Sequence, residues 1–217
     1  MKDYKYIIFD LDGTLTDPAG GLVSGFEYAL EKMGFPKEEK TALRRFIGPP
    51  LLDVWQKEYS LSYERTCEMI GIFREYYDVY GWWDNIPYNG IDKTLERLKG
   101  AGKKLLVATS KPERTAKRVL SLFGLDKYFD FIGGAESGNS RYTKEQVLSY
   151  VIESCGVDLS QAIMVGDRLY DAEGAKFCGI DSLGVLYGHG SREEIASSGF
   201  TYVSESVEGI ADLLITR

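Results

Sequence analysis

Histidine is nearly missing from this chain: His189 is the single one in 217 residues. A Ser-His-Asp triad or a multi-histidine zinc site therefore has almost nothing to be built from. Cysteine is scarce as well. Cys67, Cys155 and Cys178 are odd in number, lie far apart and form no Cys-x-x-Cys pair or Cys/His cluster, which points to reduced core thiols. No apolar run approaches the ~20 residues that cross a bilayer, and Met1-Lys2-Asp3-Tyr4 lacks the apolar stretch of a secretory signal. A cytoplasmic location without membrane association is the expectation. Positive charge is also short: 26 Lys and Arg face 33 Asp and Glu, a formal charge of −7, which argues against an unselective surface for nucleic acid polymers. Chemistry in this chain must use carboxylates, hydroxyls and lysine, and an anionic substrate must be drawn by a local positive site.

What is present is apolar patterning of two kinds. Short apolar runs at residues 6–9, 105–108, 162–165 and 183–186 are each followed by helical periodicity, the βα alternation of a buried parallel sheet. The helical stripes read Ile91, Leu95, Leu98; then Ala116, Val119, Leu120, Phe123; then Val147, Leu148, Val151, Ile152, Cys155. From about Gly20 to Tyr80 the alternation stops. Leu22, Phe26, Leu30, Met33 and then Tyr63, Cys67, Ile70, Phe73, Tyr77, Tyr80 predict a helical bundle inserted after the first strand. Its two connections fall near residues 15–19 and 81–89, a paired hinge that suits a lid.

The string Asp10-Leu11-Asp12-Gly13-Thr14-Leu15-Thr16-Asp17 follows the first strand directly. In an open parallel sheet, ligands bind beyond the carboxyl ends of the strands. Two carboxylates there repel each other unless they share a cation or a proton. Thr109 and Ser110 follow the second apolar run and Asp167 the third, with Asp171 one helical turn on, while Lys144 opens a helix after the polar loop 137–143. Hard oxygen ligands describe a Mg²⁺ site, and hydroxyls with a lysine describe a phosphate cradle. Arg141 is a rival for the cationic role.

These strings, Asp-Leu-Asp-Gly-Thr at 10–14, Thr109, Lys144 and Gly-Asp-Arg-Leu-Tyr-Asp at 166–171, resemble the four ordered motifs of the haloacid dehalogenase-like (HAD) phosphohydrolase superfamily. The resemblance implies an α/β fold: a Rossmann-like parallel-sheet core of residues 1–18 and 86–217, with a type 1 helical cap domain of residues 19–85. Phe46-Ile47-Gly48-Pro49-Pro50-Leu51, Tyr88-Asn89-Gly90-Ile91, Ala108-Thr109-Ser110-Lys111-Pro112 and Val185-Leu186-Tyr187-Gly188 are similar to the phosphoglycolate phosphatase or 5′-nucleotidase branch.

Carried over by position, Asp10 is the expected nucleophile and Asp12 the general acid and base. Mg²⁺ is expected on Asp10, Asp167 and the backbone carbonyl of Asp12, with Asp171 behind them. Thr109, the N–H of Ser110 and Lys144 are expected to bind the phosphoryl group. Arg45, beside Arg44, is a candidate for a second anionic group of the substrate. Trp82, Trp83 and Tyr88 are candidates either for stacking on a nucleobase or for packing the hinge; His189 has no assigned task. The expected activity is phosphatase action on a small phosphorylated metabolite by a monomer, with a dimer left open. A phosphosugar mutase, a phosphonatase of the same fold and a non-catalytic phosphate-binding protein are the alternatives.

Overall fold

The computed structural model describes residues 2–136 and 141–215, so residues 137–140 of the expected polar loop lie outside the described residues. In chain order the elements are strand β1 (Tyr6–Phe9), the two-residue strand β2 (Thr16–Asp17), and helices α1 (Ala19–Lys32), α2 (Lys40–Leu43), α3 (Leu51–Glu58) and α4 (Tyr63–Tyr76). The short strand β3 (Ile86–Pro87) leads to α5 (Ile91–Gly100), β4 (Lys104–Pro112), α6 (Glu113–Leu122), β5 (Phe131–Ala135) and α7 (Lys144–Cys155). The chain ends with β6 (Ala162–Gly166), α8 (Leu169–Cys178), β7 (Asp181–Val185), α9 (Arg192–Ser197), β8 (Tyr202–Ser204) and α10 (Val207–Leu214).

Six strands form one sheet in the order β5-β4-β1-β6-β7-β8, with parallel pairings throughout. β1 sits inside it because both its faces are apolar: Ile8 packs with Leu106, Ala108 and Met164 against Val147, Leu148 and Val151 of α7 and Ala175 of α8. Ile7, Phe9, Val107 and Val165 alternate with these and are equally buried, as a strand covered on both faces requires.

Two strands carried no readable signal. Phe131–Ala135 contains two glycines, and Tyr202–Ser204 is a three-residue edge strand; both lack the run of branched residues that marks a strand. β7 begins at Asp181, two residues before the expected run, because Asp181 pairs with Ile163 in the ladder; its carboxylate accepts from Lys2 and Tyr4 at 2.9 and 2.7 Å. β4 continues past Ala108 to Pro112, with a shift in register: Thr109 pairs with Gly134 and Pro112 with Ala135, so two extra residues bulge out between them.

The chain divides into two compact units, Met1–Thr16 with Pro87–Arg217, and Asp17–Ile86. The second is helical, and Phe26 centres its core, with ring centroids of Phe46, Trp55 and Phe73 at 5.8, 5.7 and 5.3 Å. In α4 the buried face is Thr66, Met69 and Phe73. Cys67 is therefore exposed, and Cys155 and Cys178 are only half-buried, so the three thiols are not the core residues their scarcity suggested. Among the described residues no helix is long and apolar enough to cross a membrane.

Candidate active site

The site is built where β1, β4 and β6 end. Asp10 keeps the sheet register through its N–H to Val165 O at 2.9 Å. The chain then turns back tightly, with the N–H groups of Thr14, Leu15 and Thr16 all donating to Leu11 O at 3.2, 2.9 and 3.1 Å. Gly13, at φ +85°, makes this turn possible, and a Cβ there would overlap the Asp167 carboxylate. The same economy recurs beside the other acids. A Cβ on Gly166 would overlap the Asp171 carboxyl, and one on Gly188 would overlap Asp167 and Gly13 O.

The space left by these glycines holds Asp10, Asp167 and Asp171, all buried, with one oxygen of each lying within 4.8 Å of the others. Lys144 is the cation among them. Its Nζ lies 2.9 Å from Asp10 Oδ1, 2.8 Å from Asp171 Oδ1 and 3.1 Å from Ala108 O. A capping box at Thr143 and Gln146 starts α7 and so fixes where Lys144 begins. Asp10 Oδ1 also accepts from Leu11 N–H at 2.7 Å. Asp171, in the first turn of α8, accepts from Arg168 N–H at 3.1 Å. Asp167 accepts from the Thr14 hydroxyl at 3.2 Å and from His189 N–H at 2.7 Å.

Burial drives the electrostatics. It pushes the Asp167 carboxyl up to about 7, helped by the charges of Asp171 and Asp10. It pushes Asp171 up to about 6 against the opposing pull of Lys144. For Lys144, burial works to lower the value, but the charges of Asp10 and Asp171 outweigh it and hold the ammonium above its usual range.

Asp12 faces elsewhere. Lys111 Nζ, itself buried, lies 2.7 and 3.0 Å from its two carboxylate oxygens. Thr109 is buried with its hydroxyl accepting from Lys111 N–H at 3.2 Å, and Ser110 is half-buried beside it. Four carboxyls thus gather around two ammonium groups. If all are ionised, two negative charges remain, which a hard divalent cation balances.

Several participants escaped sequence reasoning. Lys111 stood in the branch-like string 108–112 but was given no role, since its partner Asp12 lies 99 residues away. His189 serves through its backbone N–H, which its side chain does not advertise. Tyr187 donates its hydroxyl to Thr14 O at 2.8 Å and packs edge-on to Tyr88 at 4.7 Å. Tyr88 is thereby engaged with a tyrosine, while Trp83 is exposed.

Two candidate cations are committed otherwise. Arg45 donates to Glu38, Glu58 and Ala42 O at 2.7, 3.0 and 2.7 Å and lies over the Phe46 ring. Two carboxylates face its guanidinium, with the Arg45 side chain 36% exposed. Arg141 stacks on Tyr150 at 3.7 Å and donates to Gly134 O at 2.8 Å, whereas Lys144 is the lysine that contacts the buried carboxyls.

Likeness to known proteins agrees with this geometry. The chain is 36% identical over 211 residues to a 5′-nucleotidase of Pseudomonas aeruginosa, covering 97% of this chain and 96% of that one. It is 38% identical over 202 residues to the tyrosine-protein kinase PtkA of Mycobacterium tuberculosis, covering 93% and 69%. The crystal structure of a predicted phosphatase from Clostridium acetobutylicum superposes with a TM-score of 0.96 at 39% identity, over 98% of this chain and 99% of that one. Residues 7–185 match the sequence profile described as haloacid dehalogenase-like hydrolase. That span runs from β1 through β7 and includes every carboxylate of the buried cluster, so the chain belongs to the haloacid dehalogenase-like hydrolases.

Proposed function

We propose that this hydrolase is a Mg²⁺-dependent phosphatase that cleaves small phosphomonoesters through a phosphoryl group carried on Asp10. The observation that supports this reading is the buried cluster of Asp10, Asp167 and Asp171 with Lys144 among them. Three buried acids with the pKa of two of them raised fit a hard cation. Asp10, Asp167 and the backbone carbonyl of Asp12 would hold Mg²⁺, with Asp171 tied back to Lys144. When bound, the ion lowers the repulsion between a carboxylate nucleophile and a phosphate dianion.

In this reading an Asp10 oxygen bonds to phosphorus as the ester P–O bond breaks. Asp12 gives its proton to the departing oxygen, then takes one from the water that attacks phosphorus and frees Asp10. Thr109 and the N–H of Ser110 hold phosphoryl oxygens, and Lys144 orients Asp10 and balances charge in the transition state. Residues 1–18 and 86–217 are the core of this enzyme and residues 19–85 its cap, the segment we assign to substrate choice. We take a nucleoside monophosphate or phosphoglycolate as the ester, the first from the 5′-nucleotidase relative and the second from the resemblance of residues 46–51, 88–91, 108–112 and 185–188 to the phosphoglycolate phosphatase branch.

The test is p-nitrophenol release from p-nitrophenyl phosphate with and without Mg²⁺, in the wild type and in Asp10→Asn, followed by a panel of metabolite monoesters. Turnover that needs Mg²⁺ and is lost in Asp10→Asn supports the phosphatase. A folded, Mg²⁺-loaded protein that releases phosphate from no monoester overturns it and favours a phosphonatase, a mutase or a binding protein.

A further inference from the structure

Asp12 has its own lysine, distinct from the one that serves the buried cluster. Lys111 Nζ bridges both Asp12 oxygens at 2.7 and 3.0 Å, with the lysine side chain 3% and the aspartate 13% exposed. The backbone is shaped to deliver this contact. Between Thr109 and Pro112 the register of β4 against β5 shifts, so that Ser110 and Lys111 are extra residues in the ladder; bulges of this kind re-aim a side chain at the end of a strand. The Thr109 hydroxyl secures the bulge by accepting Lys111 N–H at 3.2 Å. Gly134 admits it from the neighbouring strand, where a Cβ would stand 2.6 Å from Lys111 O.

We infer that Lys111 is a positioning residue for Asp12. Asp10 and Asp12 are two residues apart, and the two ammonium groups hold their carboxyls in separate places: Lys144 contacts Asp10 together with Asp171, and Lys111 contacts Asp12, which is outside that cluster. Two contacts from one buried donor fix both oxygens of Asp12, so its carboxylate meets the reacting group in one orientation. Without Lys111 the Asp12 side chain is released from that orientation while every ligand of the phosphoryl group stays in place. This inference rests on the phosphatase reading, in which Asp12 moves the proton.

The experiment measures kcat and KM for p-nitrophenyl phosphate in Mg²⁺ for Lys111→Met, Lys111→Arg, Asp12→Asn and the double variant Lys111→Met with Asp12→Asn. Lys111→Met should lower kcat roughly 10- to 100-fold with KM within about threefold, since misplacement by about 1 Å costs on the order of 100-fold. The same change made in Asp12→Asn should cost no more than about twofold, because two residues acting as one unit are not additive. Lys111→Arg, which still offers two donors to one carboxylate, should recover most of the loss. A rise in KM at unchanged kcat would make Lys111 a substrate ligand, and losses that multiply in the double variant would make it independent of Asp12; either overturns the inference. Should Lys111→Met fail to fold, Lys111→Gln enters the same cycle with the same criteria. Wild-type protein without Mg²⁺-dependent turnover overturns the phosphatase reading and this inference together, whereas wild-type turnover with additive losses overturns this inference alone.

Discussion

Asp10, Asp167 and Asp171 lie at close quarters, with the Lys144 ammonium on Asp10 and Asp171, and the residue-scale consequences follow from that imbalance. Replacing Lys144 by Met leaves two buried carboxylates without their cation. The expected loss is about 3 kcal/mol or more in urea unfolding, part of which Mg²⁺ should restore; unchanged stability would contradict the arrangement. Gly13→Ala places a Cβ on a backbone at φ +85° and against the Asp167 carboxylate. It should destabilise by about 2 kcal/mol and blunt the stabilisation that Mg²⁺ gives, both read in the same titration. At this scale the sequence was informative wherever a residue type and its place after a strand coincided, as for Asp10, Thr109, Asp167 and Asp171. It was silent on the pairing of Lys111 with Asp12, which lie 99 residues apart and meet beside a bulge. It did not show the partners of Arg45, because charge pattern cannot reveal that Glu38 and Glu58 fold back onto a guanidinium.

The elements that deliver these side chains are tuned at their ends. α7 starts with a capping box at Thr143, whose side chain accepts from Gln146 N–H, and Lys144 is its first residue. Thr143→Ala should cost about 1 kcal/mol by urea unfolding, a loss absent if the box does not form. Gly134→Ala meets the Lys111 carbonyl and the Glu113 backbone at 2.6 Å, neither of which can rotate away. It should lower stability by about 1–3 kcal/mol and lower kcat through Lys111. The apolar strands β1, β4 and β6 were legible because burial on both faces leaves a continuous run. β5 and β8 were not, since glycines admit the bulge in the first and edge position leaves the second short and half-polar. Of the expected stripe, Phe73 and Tyr77 face the aromatic core, joined by Met69, whereas Tyr63 and Cys67 are exposed.

Across the whole molecule, proton and cation compete for the same oxygens. The folded values of Asp167 and Asp171, about 7 and about 6, lie above the ~3.9 of an unfolded aspartate. The folded state therefore binds the extra protons, and what these two groups contribute to stability in the absence of metal is complete below about pH 4 and lost as pH rises through 6 to 7. A bound cation takes the place of those protons, so adding Mg²⁺ should raise Tm more at pH 8 than at pH 5.5, measured by calorimetry; an equal rise at both would place the cation elsewhere. The order of elements and the helical insertion were readable from periodicity, whereas the charge balance among four acids and two lysines needed the fold to bring residues 10 through 171 together. The central claim, that Asp10 carries the phosphoryl group, is tested most directly by quenching the enzyme with acid during Mg²⁺-supported turnover and weighing the peptide that contains it. The account predicts a phosphoryl adduct on Asp10 that is missing from Asp10→Asn. Phosphate release that persists in Asp10→Asn, or an adduct on another residue, would contradict it.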